Sequence, residues 1–524
     1  MCEGVVTITV DGEKVEATGG ERLIEVIRRR GSFLCAPCYN KYLSETGRCG
    51  MCLVGVRRRP EDEFVVVSAC TATAKDGMEI DTEHSKAVSQ RNELFSLCLL
   101  KHPLDCSKCD KVGNCFLHKF SSQTRFRGFS RIVNGKLEGV EYQDFGKNIA
   151  FDGRKCIGCQ RCIRFCRDIL GDEVLGFIRD DDGNRDVRLY PGKILGGNYT
   201  MNLVDLCPAG ALVNKNSLFQ PTEWDLIRTE SISTESSVGV NTYVLHKENK
   251  IFRIIPRENE HVNDAWIPDS ARDEHKYFDD RKRLVYATHG NDRSRAETAI
   301  ANIVKSMSDK KIAVVCSGNM SLEDQFVLRR LLDSTVSNIF FLRKSRLSDG
   351  FLISDDATPN FNGAVLTKLA VEGNVVDDLT SLNRELKDGR YGKILAINEE
   401  IFANGVSYAI PVDIEIFYIG TENEKTAKRA TIAIPVATVF ERTGTFINKD
   451  WRLQKFHQSI NSPNGGVFPM WYVLSMLANV YTNFSENKML WLDEVWTNMS
   501  ANVELLENID FKNIAPEGIS LKTS

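Results

Sequence analysis

Fifteen of the chain's 16 cysteines stand at or before Cys207, and only Cys316 follows them. Thiols set two and three residues apart in such number form a ligand framework, which packing alone does not require. Disulfide scaffolds belong to small secreted chains that lack a core, whereas 524 residues allow three or four domains of about 150 residues, each with a core of its own. The thiols therefore indicate a reducing compartment and bound metal. The asymmetry divides the chain into two chemically different halves.

Composition excludes several classes. Hydrophobic residues are 42% and charged residues 26%, with 14 prolines and 37 glycines, which is ordinary globular usage and neither collagenous nor disordered. With 67 basic and 71 acidic residues, the net charge of −4 gives no global field toward nucleic acid or anionic lipid. The stretch from Val467 to Val480, interrupted by Ser475 and Asn479, is shorter than the roughly 20 apolar residues needed to span a bilayer. Met1 is followed at once by the alternating Val6-Thr7-Ile8-Thr9-Val10, so the chain is expected to work where it is made or to have lost a presequence.

Val5 to Ala17 reads as a hairpin turning at Asp11-Gly12, and Glu21 to Arg30 as a short helix stopped by Gly31. With the cysteine-bearing loop that follows, they form a ferredoxin-like unit of about 80 residues. A second hairpin joins Leu53–Val56 to Phe64–Ala69, with Arg57-Arg58-Arg59 facing Glu61-Asp62-Glu63 as a solvated tip. His84 to Leu100 reads as a helix with Val88, Phe95 and Cys98 inward, ending before His102-Pro103. The basic and aromatic residues from Ser121 to Arg131 resemble a single-strand nucleic-acid stripe, but they adjoin cysteine ligands and no binding module accompanies them, so no nucleic-acid partner is expected. β-like runs occur at Thr242–Leu245 and Ile251–Ile255. Beyond Asp280, strand and helix alternate (Ile312–Val315, Leu322–Leu332, Ile394–Ile397) as in an α/β domain with a parallel sheet. Ser317-Gly318-Asn319 lies between strand and helix, where a phosphate could sit, but it matches neither nucleotide-loop spacing.

The first ligand group is Cys38-x10-Cys49-x2-Cys52-x17-Cys70. Four thiolates suit a 2Fe-2S cluster, each iron taking two, although the spacing departs from the plant type and structural zinc is the plainer alternative. The second, His102-x3-Cys106-x2-Cys109-x5-Cys115, would by itself serve equally as a zinc knuckle. The third, Cys156-x2-Cys159-x2-Cys162, places three thiolates in seven residues, which marks a loop wrapped on three corners of a cubane. Its fourth ligand is expected from Cys207-Pro208, 44 residues further on.

Two-cluster ferredoxins carry this triad twice, each with a fourth cysteine for the other cluster. Here Gly197, Thr200 and Leu203 stand where the second triad would be, so the unit reads as reduced to one cluster with Cys166 orphaned. Cys35 is an alternative ligand beside Cys38, and Cys98 and Cys316 read as small buried hydrophobes. Lys155, Arg161, Arg164 and Arg167 flank the third group; they either favour its reduction or form a solvated basic loop.

The runs Gly47-Arg48-Cys49-Gly50-Met51-Cys52, His102-Pro103-Leu104-Asp105-Cys106, Cys156 to Phe165, and Asp205-Leu206-Cys207-Pro208-Ala209-Gly210 resemble the large iron–sulfur subunit family of respiratory complex I. So do Arg228 to Ile232 and Arg253 to Arg257, and more weakly Gly444 to Asn448. The resemblance implies a 2Fe-2S cluster at Cys38, Cys49, Cys52 and Cys70. It implies one 4Fe-4S cluster at His102, Cys106, Cys109 and Cys115 and another at Cys156, Cys159, Cys162 and Cys207. These clusters would carry electrons from a flavin-bearing subunit toward quinone, with no substrate site in this chain and no molybdopterin.

Its implied partners are that flavoprotein (FMN- and NADH-binding) subunit and the other peripheral-arm iron–sulfur subunits. Its implied place is peripheral to the inner or cytoplasmic membrane, on the matrix or bacterial cytoplasmic side, held there only through the complex. The implied fold is an α+β iron–sulfur region in a 2Fe-2S part (1–80), a His-and-three-Cys part (81–140) and a ferredoxin-type part (141–220). A small β-rich domain (221–280) and a reduced molybdopterin-oxidoreductase-like α/β scaffold (281–524) follow. In this chain the Cys52–Cys70 loop is longer than the family's, the last domain is shorter, and no cysteine falls between 208 and 315 for a further cluster. An electron-transfer subunit of an NAD-linked hydrogenase or formate dehydrogenase is the alternative that shares these modules.

Overall fold

Asp11 and Gly12 turn the chain with φ of 49° and 86°, the primed-turn geometry that an Asp-Gly pair allows, so Val5–Val10 pairs antiparallel with Glu13–Thr18. The structure, a computed structural model, describes residues 4–522 except 104, 124–141, 180–184, 218–219, 279–281, 308–310, 334–336, 412, 464–465 and 483–488. It divides into two compact units, Met1–Leu226 and Ile227–Ser524.

In the first unit a five-stranded sheet runs in the order Glu13–Thr18, Val5–Val10, Glu79–Asp81, Leu53–Arg57, Val65–Ser68. The helix Leu23–Arg29 lays Leu23, Ile24, Val26 and Ile27 on it; burying such side chains stabilises by about 1.5–3 kcal/mol each. In the second hairpin Arg57 leaves the acidic residues of the tip and pairs with Glu79 at 2.7 Å, while Arg58, Arg59 and Glu61 to Glu63 are exposed as expected.

The helix Ser85–Lys101 stops before His102-Pro103. Its buried face is Ala87, Arg91 and Phe95, whereas Val88 and Cys98 are half-buried. An arginine takes an inward position because its guanidinium donates to Thr82 O at 2.8 Å and reaches the Glu83 carboxylate at 3.5 Å, which satisfies its charge and its donors. The remaining pieces are the helices Phe116–Gln123, Arg161–Asp168 and Asn202–Leu206, the hairpin Leu175–Arg179 with Arg185–Leu189, and a small sheet of Gln143–Asp144, Ile149–Phe151 and Leu212–Asn214. Most of the basic and aromatic stretch around Arg125 to Arg131 lies outside the described residues.

The second unit opens with an antiparallel sheet of Ile227–Ile232, Asn241–Lys247 and Lys250–Pro256. An eight-stranded sheet follows, in the order Asp292–Ser294, Ala287–His289, Ile432–Pro435, Glu415–Gly420, Lys393–Ile397, Ile312–Ser317, Ser337–Leu342, Val375–Val376. Its last six strands are parallel. Alternate residues of one strand serve two cores: Val314 and Cys316 face Ala296–Met307, Leu322–Asp333 and Met470–Thr482, while Ala313 and Val315 face Thr380–Lys387. That is the doubly wound arrangement a buried parallel sheet requires. No described helix is long and apolar enough to cross a membrane.

Candidate iron–sulfur sites

The second hairpin solves the spacing of the first group. Cys52 precedes the strand Leu53–Arg57 and Cys70 follows Val65–Ser68; Leu53 pairs with Ser68 and Ala69 N–H donates to Cys52 O at 3.0 Å, so both thiols return to one end of the hairpin. The long loop thus runs out through the solvated tip. Cys38 Sγ lies 3.2 Å from Cys49 Sγ, and Cys70 hydrogen-bonds to Cys38 and Cys52. Thiol–thiol contacts hold Cys38 and Cys52 below the usual thiol range, Cys38 chiefly through Cys49 and Cys52 through Cys70. The donors Cys49 and Cys70 are pushed up, each chiefly by Cys38. Two pairs, Cys38 with Cys49 and Cys52 with Cys70, offer two sulfurs to each of two irons. Gly50 permits this loop, with φ of 62° and a Cβ position only 2.6 Å from Leu94 Cδ1.

His102 caps the helix Ser85–Lys101, and the chain makes a short helical turn at Cys106–Lys108 before Cys115 opens the helix Phe116–Gln123. His102, Cys106, Cys109 and Cys115 line one cavity of about 230 Å³, together with His118. Burial raises the Cys109 and Cys115 thiols, and the N–H groups of Leu117 and His118 at the helix start draw Cys115 partly back.

In the third group Gln160 adopts a left-handed φ of 59° to begin the helix Arg161–Asp168, setting Cys162 in its first turn after Cys156 and Cys159. Cys207 caps Asn202–Leu206, and all four sulfurs line a cavity of about 20 Å³. Burial pushes Cys159 up to about 11 and raises Cys156 and Cys162 further. Cys166, one turn on, is buried outside that lining, its thiol raised by burial to about 12. Cys35, likewise raised to about 12 by burial, packs with Met51, Phe95, Cys115, Phe116 and Ala209.

Among the described residues no three His, Cys, Asp or Glu side chains form a group that could hold a single metal ion. The donors of the second and third groups ring cavities instead of converging on a point. Soft sulfur donors gathered in sets of three and four are the donor chemistry that an iron–sulfur cluster requires.

Of the basic residues that flank the third group, Lys155, Arg161 and Arg164 are drawn into the structure and Arg167 is exposed. Arg164 is 4% exposed and donates to the carbonyls of Cys38 and Ser44 and to Cys159 O at 3.4 Å. Arg161 donates to Tyr39 O, to Ala36 O at 3.0 Å and to Leu206 O at 3.3 Å, and Arg167 to Ser44 Oγ at 2.6 Å. These arginines join the loop of the first group to the helix of the third, because a guanidinium carries five donors that several carbonyls can share. On the other side, Lys155 sits 3.5 Å from Asp105, Phe116 N–H donates to Pro208 O at 3.0 Å, and a Cβ on Gly210 would come within 2.5 Å of Cys109 Sγ. The third group therefore adjoins both others, and the apolar cluster around Cys35 and Phe95 packs among them.

In the second unit the strand order reverses between Ile312–Ser317 and Lys393–Ile397, where open α/β sheets bind ligands. There the Ser317-Gly318-Asn319 turn is filled from within. Ser317 Oγ donates to Glu399, Asn319 Nδ2 approaches the same carboxylate at 3.1 Å, and Lys344 Nζ lies at 2.8 Å. A carboxylate occupies the turn, in keeping with the lack of nucleotide-loop spacing there.

Fold and sites together define a class: a ferredoxin-type iron–sulfur protein continued by an α/β domain of molybdopterin-oxidoreductase type. Residues 3–85 match the family described as "2Fe-2S iron-sulfur cluster binding domain". Residues 91–127 match "NADH-ubiquinone oxidoreductase-G iron-sulfur binding region" and 146–213 match "NADH-quinone oxidoreductase subunit 3, ferredoxin-like domain". Residues 399–480 match "Molybdopterin oxidoreductase". Residues 226–275 match "NADH-ubiquinone oxidoreductase NDSU1/NuoG-like, 4Fe-4S domain", yet contain no cysteine.

The chain is 31% identical over 357 residues to the NADH-ubiquinone oxidoreductase 75 kDa subunit of Reclinomonas americana, an alignment covering 65% of this chain and 49% of that protein. It is 29% identical over 354 residues to the mitochondrial NADH dehydrogenase [ubiquinone] iron-sulfur protein 1 of Solanum tuberosum, covering 65% and 46%. In its iron–sulfur portion the chain is similar to these large iron–sulfur subunits. The matched region spans about half the length of these relatives. Among solved structures, an NAD+-reducing [NiFe]-hydrogenase in the H2-reduced state aligns with a TM-score of 0.36 at 18% identity, over 42% of this chain and 91% of that one.

Proposed function

We propose that the chain is the large iron–sulfur electron-transfer subunit of an NADH:quinone oxidoreductase. In this reading Cys38, Cys49, Cys52 and Cys70 hold a 2Fe-2S cluster, and His102, Cys106, Cys109 and Cys115 hold one 4Fe-4S cluster. Cys156, Cys159, Cys162 and Cys207 hold a second. Bound there, such clusters accept and release single electrons. The protein supplies everything else. Its thiols and His102 fix the ligand shells, Arg161 and Arg164 tie the first loop to the third helix, and the apolar cluster containing Cys35, Phe95 and Phe116 keeps water from the space among the groups.

Because the third group adjoins both others, the sites follow one another in space as first, third, second. The partners are a flavin-bearing subunit on one side and further iron–sulfur subunits on the other, in the membrane-peripheral arm facing the matrix or bacterial cytoplasm. The two relatives are named as an NADH dehydrogenase iron-sulfur protein and an NADH-ubiquinone oxidoreductase subunit, which favours this reading over a hydrogenase or formate dehydrogenase subunit.

The observation that supports the reading is that all twelve donors gather as three sets within one unit. Iron and sulfide analysis with EPR of the dithionite-reduced protein tests it. About ten irons per chain are expected, with one binuclear and two cubane signals. Six or fewer at full occupancy removes at least one site, and colourless protein containing zinc overturns the reading.

A further inference from the structure

The cavity of the second group carries a donor beyond the four assigned ligands. His118 lines it beside His102, Cys106, Cys109 and Cys115, and its Nδ1 is buried with no hydrogen-bond partner among the described residues. The ring is held in place. It stacks on the indole of Trp224 with centroids 5.3 Å apart and planes 19° apart, and Trp224 packs against Gly113, where a Cβ would come within 2.9 Å of Cδ1. The backbone of the same residue already serves the site, its N–H lowering the Cys115 thiol. Leaving a buried imidazole nitrogen unpaired is costly, and an aromatic stack would be served as well by phenylalanine.

We propose that His118 is a positioning residue of the second group whose imidazole N–H donates a hydrogen bond to a sulfur of the cluster that His102, Cys106, Cys109 and Cys115 hold. The inference rests on the reading of that group as a cluster site. A donor at a cluster sulfur stabilises the more negative, reduced form and so raises the potential. The stack on Trp224 keeps the ring from rotating out of reach. The signal in the sequence is a second histidine at Cys115-x2-His118, which ligand counting passes over because the set of four is already complete.

The test is an EPR-monitored redox titration of the full-length, cluster-loaded chain, with the second-group signal assigned by its loss in Cys109→Ser. His118→Phe keeps the stack and removes the N–H, whereas His118→Gln keeps an N–H donor. Expected are unchanged iron content in both, a lower potential with altered g-values in His118→Phe, and a potential nearer the wild type in His118→Gln. An unmoved potential in His118→Phe overturns the inference, as a packing role predicts. Loss of about four irons in that variant also overturns it, making His118 a ligand. If the wild-type chain lacks the second-group signal and its iron, the cluster reading fails and this inference with it.

Discussion

The two units solve the same problem, buried charge, in opposite ways. In Ile227–Ser524 buried acids and bases pair directly: Asp324 with Arg442 at 2.6 Å, Glu441 with Arg283 at 2.5 Å and Glu399 with Lys344 at 2.8 Å. In Met1–Leu226 the buried arginines Arg161 and Arg164 make no ion pair with a carboxylate among the described residues and meet carbonyls and cysteine sulfurs instead. Desolvation lowers both guanidinium pKa values, and the Cys159 and Cys38 thiolates oppose the shift. Those three pairs neutralise themselves, while Glu274 in the same unit meets only hydroxyl and N–H donors from Ser233 and Thr234 among the described residues. The interior of the first unit is balanced only when its sulfurs carry negative charge, as cluster ligands do.

This contrast is open to breaking. Its largest expected effect is metal removal: anaerobic chelation should destabilise the first unit by more than about 5 kcal/mol, because the ligand bonds contribute to folding free energy, and expose its cysteines to alkylation. The second unit should keep its unfolding transition. Tryptophan fluorescence reports on it selectively, since Trp224 is the only one of six tryptophans in the first unit. Joint unfolding would remove the contrast.

Asp324→Ala should act in reverse, costing about 3–5 kcal/mol by stranding Arg442 while iron content and EPR spectra stay unchanged. Glu274 tests the second unit's interior with pH. Burial raises its carboxyl from 4.5 to about 8 despite donors from Ser233 Oγ at 2.8 Å and Thr234 N–H at 2.7 Å. The unfolded chain therefore loses this proton first, and the residue lowers stability progressively as pH rises from about 4.5 to about 8. Glu274→Gln should stabilise the second unit by roughly 4 kcal/mol at pH 8 and hardly at pH 4.5, measured by denaturant unfolding. A stabilisation independent of pH would contradict this. The smallest effect is expected of Cys166→Ala, about 1 kcal/mol of packing and no change in iron; loss of a cluster would make Cys166 a ligand.

Local chemistry made much of this legible in the sequence. The Asp11-Gly12 turn, the helix stop before His102-Pro103 and the strand at Ile312 to Val315 each depend on neighbouring residues, and the structure has them where the sequence predicts. What was illegible depends on residues that return from far away. Arg161 and Arg164 look like a wet basic loop until residues 36–44 come back over them. Likewise, the partner of the Ser317 turn, Glu399, enters it from 82 positions on. Arg91 took an inward helix position that apolar patterning gave to Val88 and Cys98, because its guanidinium turns back to Thr82 O and the Glu83 carboxylate, which apolar periodicity does not encode.

The ties from Arg161 to Ala36 and from Arg164 to Cys38 span 125 and 126 positions, and that separation has a consequence for biosynthesis. During translation the proposed first-group ligands emerge long before the guanidinium groups that clamp their loop. Closing so long a loop is slow relative to local folding, so nascent chains shorter than about 165 residues expose a soft thiol site with no lid. Metal delivered before residue 164 has left the ribosome would meet a loop open to oxidation and to the wrong ion, which gives the cell a reason to insert iron only after the chain has passed Cys207.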